Sequence, residues 1–351
     1  MSTFEHRGTR KTLRIFSEVP ERVVKFTRSE PAQLVFSNGS SCISSCIGCA
    51  DEPCRILTND ERTIDGLKVF AGDTSSSLCP VNAITWDTAL EVPDINPATC
   101  IGCGLCVSRC PVGAISVRDN VAVVATADPA SSSSCLSTTS FSGGQLLQRE
   151  QVALIPKYEL KEPILDDAEV FRVSTALSKA SDTIQKTAVR SVLVAARCSV
   201  SLSRKGDVHT RMDGTYSTLD GARGSLEVEF GLDSLEAVRA SLDDVAVLNS
   251  RYNLRKSEQT PFVVYGELPR ERQGYWQVVR DIHRVLDMKV RTATVGALLL
   301  LVWNRKSLTA AVLDELTPHF ESTSIREQIE AVLGRPATIP LGVGGILEPE
   351  K

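Results

Sequence analysis

The sequence predicts an α+β protein in two parts: a cysteine-rich N-terminal part, and a C-terminal α/β part built on a mixed central sheet. Three observations carry this. A cysteine pattern in the first third of the chain occurs twice. A Ser/Thr-rich stretch, "ATADPASSSSCLSTTSFSGG" at 125–144, then separates it from the remainder of the chain. Beyond it, segments of period two alternate with segments of helical period. They predict a first domain at 1–125, a linker at 126–144 and a second domain at 145–351. With 351 residues there is room for two or three domains.

Composition narrows the class. The formal net charge of -4 gives no global basic footprint for nucleic acid. A local exception is the N-terminal stretch with Arg7, Arg10, Lys11, Arg14, Arg22, Lys25 and Arg28 against Glu5, Glu18 and Glu21, read first as a solvated basic segment. The N-terminus has charges but no apolar leader. The longest apolar run, "VGALLLLVW" at 295–303, is well short of the roughly 20 residues of a membrane span, and is read as a buried strand. Eleven cysteines without a leader point to metal ligation in a reducing cytoplasm rather than to disulfides.

The cysteine spacing is specific. In "TCIGCGLCVSRCPVGAIS" at 99–116, Cys100, Cys103, Cys106 and Cys110 stand as C-x2-C-x2-C-x3-C-P, an iron–sulfur ligand run. Upstream, "SCIGCADEPC" at 45–54 and "CPVNAIT" at 79–85 repeat it in a stretched form. Two extra residues separate Cys49 from Cys54, and the insert "RILTNDERTIDGLKVFAGDTSSSL" separates Cys54 from Cys79. Over roughly residues 40–120 the chain resembles the bacterial dicluster ferredoxins. In that family the cysteine before proline ligates the other cluster. The resemblance implies two [4Fe–4S] clusters, one on Cys46, Cys49, Cys54 and Cys110, the other on Cys79, Cys100, Cys103 and Cys106. Cys42 is an alternative ligand to Cys54; Cys135 and Cys198 have no motif around them. No flavin, nicotinamide or pterin fingerprint accompanies the clusters, since "GVGG" at 342–345 does not fit G-x-G-x-x-G.

The second part reads as helix at 166–187, then helix or buried strand at 189–197, and strand at 207–218. A hairpin turn at Asp220-Gly221 leads to a strand at 224–231 and a helix at 232–252. Strand 261–268, helix 275–288, strand 293–303 and two helical segments complete it. Alternation along "GSLEVEFG" puts Leu226, Val228 and Phe230 on one face, and Glu227 and Glu229 on the other. A hairpin closing at Asp220-Gly221 brings Asp213, which shares a polar face with His209 and Arg211, towards Glu227. Three carboxylates gathered at a sheet edge repel unless a cation lies between them, and Mg²⁺ or Mn²⁺ suits such oxygen ligands.

Over roughly 160–305 this order resembles the PD-(D/E)xK nuclease superfamily, the restriction-endonuclease-like fold. The resemblance implies Asp213, Glu227 and Glu229 as catalytic residues, with Asp213 and Glu227 holding Mg²⁺ or Mn²⁺. The family's lysine position is Glu229 here, so a relocated lysine is sought, with Lys205 and Lys256 as candidates. E-x-E on a strand also describes the solvent face of an amphipathic sheet, and Asp213-Gly214 equally suits a turn.

Three functions are expected as alternatives. One is an iron–sulfur nuclease that cleaves or binds DNA within a defence or repair complex. Another is an electron-transfer subunit whose C-terminal domain docks a redox partner. The third is a catalytically inactive interaction subunit. Each implies a protein partner or larger complex and no membrane.

Overall fold

The computed structural model describes residues 2–5, 12–15, 46, 48–64, 66–67, 72–88, 92–124, 162–204, 212–231, 234–316 and 323–350. Cys42, Cys135, the 126–144 linker, Lys205, His209, Arg211 and the side chains of the basic N-terminal stretch lie outside these residues. The chain divides into two compact units, Met1–Ile56 with Ser77–Leu165, and Leu57–Ser76 with Asp166–Lys351. The 1–125 span expected for the first domain is therefore interrupted: most of the insert after Cys54 is a piece of the second unit.

At the N-terminus, Ser2–Glu5 (β1) pairs antiparallel with Thr12–Ile15 (β2). The insert carries one helical turn, Asn59–Arg62 (α1). Thr58 caps it, accepting from the Glu61 N–H at 3.3 Å, while Glu61 accepts from the Thr58 N–H at 2.9 Å.

In the first unit, Ile84–Asp87 (β3) pairs with Val92–Ile95 (β4), and Ile115–Arg118 (β5) pairs with Val121–Val124 (β6). Each hairpin comes after one Cys-Pro, so the doubled sequence is a doubled structure. Between them lies the short helix Leu105–Arg109 (α2). Ile84, Val92, Ile95, Val107, Val112, Ile115 and Val124 form the core, with buried cysteines among them.

In the second unit, Glu169–Ser178 (α3) and Asp182–Ala195 (α4) precede Ser199–Leu202 (β7). Next come Gly214–Ser217 (β8), Arg223–Glu229 (β9), the long helix Ser234–Tyr252 (α5) and Phe262–Tyr265 (β10). Gly274–Leu286 (α6), Arg291–Thr294 (β11), Val295–Trp303 (α7), Ala310–Glu315 (α8) and Arg326–Leu333 (α9) complete it. The five strands form one mixed sheet in the order β11-β10-β9-β8-β7. β7, β8 and β9 run antiparallel as a meander, and β9, β10 and β11 run parallel.

The Asp220-Gly221 turn closes the β8–β9 hairpin as expected; Gly221 takes φ +96°, and its N–H donates to Thr218 O at 3.1 Å. The expected strand at 207–218 is a strand only from Gly214 onward in the described residues. Residues 189–195 end a helix, and the short β7 comes next, where the sequence pattern predicts no strand.

The main correction is at 293–303. Only Ala293 and Thr294 belong to a strand; 295–303 is the helix α7, buried at every residue. An unbroken apolar run has no period that separates a buried strand from a buried helix. Thr294 decides it locally, its hydroxyl accepting from the Ala297 N–H at 3.0 Å as an N-cap. Trp303, fully buried at the end of α7, is expected to cost about 3–5 kcal/mol when truncated to Ala. Chemical denaturation of Trp303→Ala checks this; a midpoint equal to wild type would show that the helix is not core. Among the described residues no helix is long and apolar enough to cross a membrane.

Candidate functional site

The turns of the two cysteine loops correspond. In the two C-I-G-C turns, Gly48 and Gly102 take φ +66° and +60°. A Cβ on Gly102 would fall 2.3 Å from the Asn120 carbonyl oxygen, so a side chain is excluded there. In the two Cys-Pro turns, Asn82 and Gly113 take φ +51° and +67°. The next N–H then points at sulfur: Ala83 donates to Cys79 Sγ and Ala114 to Cys110 Sγ, both at 3.2 Å. Gly102 and Ala122 N–H groups donate to Cys100 Sγ, each at 3.4 Å. Such N–H···S bonds favour the thiolate.

The thiols influence one another in two sets. Burial pushes the Cys49 and Cys54 thiols up, and Cys110 and Cys46 push both further. Burial pushes Cys103 up to about 12, with Cys79 and Cys100 adding to it. Cys106 is raised by burial, then by Cys103, with Cys54, Cys100 and Cys79 contributing. The charges of these thiols thus reach one another largely within the quartets implied by the resemblance, 46, 49, 54 and 110, and 79, 100, 103 and 106, with Cys54 also reaching Cys106. Buried thiols that resist ionisation fit a cationic iron centre, because metal ligation supplies the charge that offsets burial. The stretched first loop keeps Cys54 in its set by turning at Glu52, φ +43°, and Arg109 on α2 donates to Pro53 O at 3.2 Å.

The second constellation lies in the middle of the sheet, not at its edge as expected, because β9 has β8 on one side and β10 on the other. Asp213 stands immediately before β8. Its N–H donates to Glu227 Oε1 at 3.1 Å, and its Oδ2 accepts from the Val228 N–H at 2.9 Å. This reciprocal pair ties the turn before β8 to β9. Asp213 Oδ1 meets Lys186 Nζ at 2.7 Å, and the same ammonium reaches Asp182 Oδ1 at 3.1 Å. Lys186 comes from α4, where the sequence pattern gives no sign of a site residue. Lys256 donates instead to Leu286 O and does not line this cleft.

Asp213, Glu227 and Glu229, with Asp182, Lys186 and Glu236, line a cleft of ≈ 380 Å³. Glu229 turns back at the end of β9, accepting from the Gly231 N–H. Behind Glu227 lies Asp244 of α5, buried and without a motif to mark it; its Oδ2 meets no hydrogen-bond donor among the described residues. Burial holds Glu227 well above the usual carboxylate range, and Asp213 and Asp244 raise it further. Burial also raises Asp213, against the pull of Lys186 and the Val228 N–H. For Lys186 burial alone would lower the pKa; the contacts with Asp213 and Asp182 outweigh it and keep the amine cationic. Among the described residues no three His, Cys, Asp or Glu side chains gather as a cage for an ion. A divalent cation here would take protein oxygen from Asp213 and Glu227, a two-carboxylate set of the kind Mg²⁺ accepts when water completes its shell.

Comparison with known proteins bears chiefly on the first unit. A family model described as a 4Fe-4S binding domain matches residues 93–116, which include Cys100, Cys103, Cys106 and Cys110. "Uncharacterized ferredoxin MJ0155" of Methanocaldococcus jannaschii is 28% identical over 96 residues, 26% of this chain and 61% of that protein. The chain thus spans less than two thirds of that relative. The restriction endonuclease FokI is similar with a TM-score of 0.30 and 11% identity, over 56% of this chain and 37% of its own. A likeness of that size carries no argument, and the acidic cleft rests on its own geometry. Residues 93–116 thus match a 4Fe-4S binding domain, which supports an iron–sulfur cluster in the first unit.

Proposed function

We propose that this is a two-cluster iron–sulfur protein whose second unit hydrolyses phosphodiester bonds of DNA with the help of a divalent cation, within a larger defence or repair complex. One observation carries the reading: Asp213 in the turn before β8, Glu227 on β9 and Lys186 on α4 meet in an open cleft. The order around them, α4-β7-β8-β9-α5-β10, is the helix–strand–strand–strand–helix–strand order of the nuclease resemblance.

Asp213 and Glu227 would hold the divalent cation, which would lower the pKa of a bound water and offset charge at phosphorus. The chain's own residues do the rest. Asp213 and Glu227 orient each other through the backbone of Val228 and Asp213. Lys186, held cationic, is placed to neutralise a phosphate oxygen as negative charge grows on it. Asp244 backs Glu227 and keeps its carboxyl in one orientation.

Protonation of Glu227 gives a sign that can be checked. Its folded pKa is raised, so folding retains a proton that the unfolded chain releases near the ordinary carboxylate range. That contribution is full at acidic pH and is lost as pH climbs towards the raised folded value. In divalent-free buffer the melting temperature of the second unit is expected to fall between about pH 5 and pH 9. Mg²⁺ or Mn²⁺ should lessen the fall, and Glu227→Gln should flatten it. A wild-type profile that is flat without the cation would contradict a buried protonated Glu227.

The direct test is anaerobic. Iron is quantified, and the protein is incubated with supercoiled plasmid with and without Mg²⁺ or Mn²⁺. Nicking that requires the divalent cation supports the reading. A second reading, electron transfer to a docked partner, is favoured by the partial exposure of Cys100 and Cys110 and by the ferredoxin name of the relative. Reversible cluster reduction without DNA binding or nicking would select it.

A further inference from the structure

The insert after Cys54 has no counterpart in the second copy of the cysteine pattern, where three residues, Val107 to Arg109, fill the same place. Its residues Leu57–Ser76 are built into the second unit. There the sheet would end at β7. Gly72 bridges Ser203 antiparallel, and the Asp73 N–H donates to Leu202 O at 2.7 Å. A Cβ on Gly72 would lie 2.4 Å from Ser201 Oγ, so a larger residue there would have to turn the Ser201 hydroxyl aside. Arg190 of α4, only 1% exposed, donates to Asp73 Oδ2 at 3.2 Å and to Ser75 O at 3.0 Å. Ile64 and Leu67 are buried in one apolar cluster with Met212, Leu248 and Leu254.

Both anchor points adjoin the acidic cleft. Arg190 comes one turn after Lys186 on α4, and Met212 immediately precedes Asp213. The ends of the insert adjoin cysteines of different quartets: Cys54 is three residues before Leu57, and Cys79 three residues after Ser76. A chain segment fixed at both ends loses less entropy on docking than one with free ends.

We infer that this insert is a strap through which iron–sulfur assembly on Cys54 and Cys79 stabilises the Lys186–Asp213 end of the acidic cleft. The inference rests on those two cysteines being cluster ligands, and does not depend on nuclease activity. The strap's ends are zipped to each other, Leu57 N–H donating to Ser76 O at 2.7 Å and Leu78 N–H to Arg55 O at 2.8 Å; ligation just beyond this pairing tightens both ends, and the tightened strap holds its β7 bridge, its Arg190 clasp and its seat on Met212. By linkage the coupling is reciprocal, so loosening the strap loosens the clusters.

The test uses the full chain, purified anaerobically with its iron measured. Hydrogen exchange is followed before and after a chelator strips the clusters. Amides at Asp73 and Ser203 are expected to lose protection about tenfold, within the usual range of such couplings, while α7 keeps its protection. Unchanged protection at Asp73 would overturn the strap. Equal loss in α7 would overturn it too, since that is general unfolding. In a second arm Asp73→Ala is expected to speed chelator bleaching several-fold, whereas Asp314→Ala, which removes the Arg291 ion pair, bleaches like wild type. An Asp73→Ala protein that bleaches at the wild-type rate would count against the coupling. Iron absent from the starting protein would overturn the ligand assignment, and the strap with it.

Discussion

Glu227→Ala is expected to abolish divalent-dependent nicking of plasmid, with a loss of at least ~10²-fold. The carboxylate does two jobs at once. It fixes the turn before β8 through the Asp213 N–H, and in the proposed reading it offers the second oxygen ligand for a cation. Its loss should not unfold the protein. Glu227 is a buried acid that folding holds protonated while the unfolded chain releases its proton, and removing such a group removes that cost of folding above the ordinary carboxylate range. The melting temperature at pH 8 should therefore hold or rise while activity disappears. Lys186→Ala should give a comparable loss of activity, because no other ammonium is placed on Asp213 among the described residues. Lys256→Ala should retain activity, since Lys256 donates to Leu286 O away from the cleft. Nicking that survives in Glu227→Ala at the wild-type rate would remove the acidic cleft from the chemistry, and the electron-transfer reading would take its place.

Cys103→Ser is expected to lower iron from about eight to about four per chain, since each [4Fe–4S] cluster carries four irons and needs four thiolates. Serine keeps the shape but offers a hard oxygen where iron in such clusters prefers soft sulfur. Cys103 lies with Cys79, Cys100 and Cys106, so the set around Cys46, Cys49, Cys54 and Cys110 should keep its iron. Cys198→Ser makes the control. That thiol is buried in the second unit, beside Leu308 O at 3.8 Å, and its loss should leave iron unchanged. Anaerobic iron and sulfide analysis reads both variants. Full iron in Cys103→Ser would break the ligand assignment, and iron near four in wild type would reduce the protein to one cluster.

Much of the first unit was legible as sequence. The repeated spacing, the glycines of the C-I-G-C turns and the residue after Pro-Val each act within a few residues of one another, and the structure repeats them with matching dihedral angles. The β8–β9 hairpin was legible for the same reason, with Asp220-Gly221 as the turn. Asp213 and Glu227 were legible because a hairpin converts a sequence distance into a cross-strand neighbour. Lys186 and Asp244 were not. Each belongs to a helix packed on the sheet, and an Asp, Lys or Glu on such a helix reads as a solvent-facing residue until packing turns it inward. The apolar run at 295–303 failed differently: with every position buried, no alternation remained to reveal its period.

The sequence by itself determined the cysteine spacing, the doubled loop and the carboxylates carried by the hairpin, because spacing and turn geometry are local and covalent. Only the tertiary structure decided that Lys186 of α4 meets Asp213, that a second buried acid stands behind Glu227, and that the insert after Cys54 belongs to the second unit. Those features depend on which faces pack together once the sheet has formed. Packing is set by burial summed over residues far apart in the chain, and it leaves no motif at any one of them.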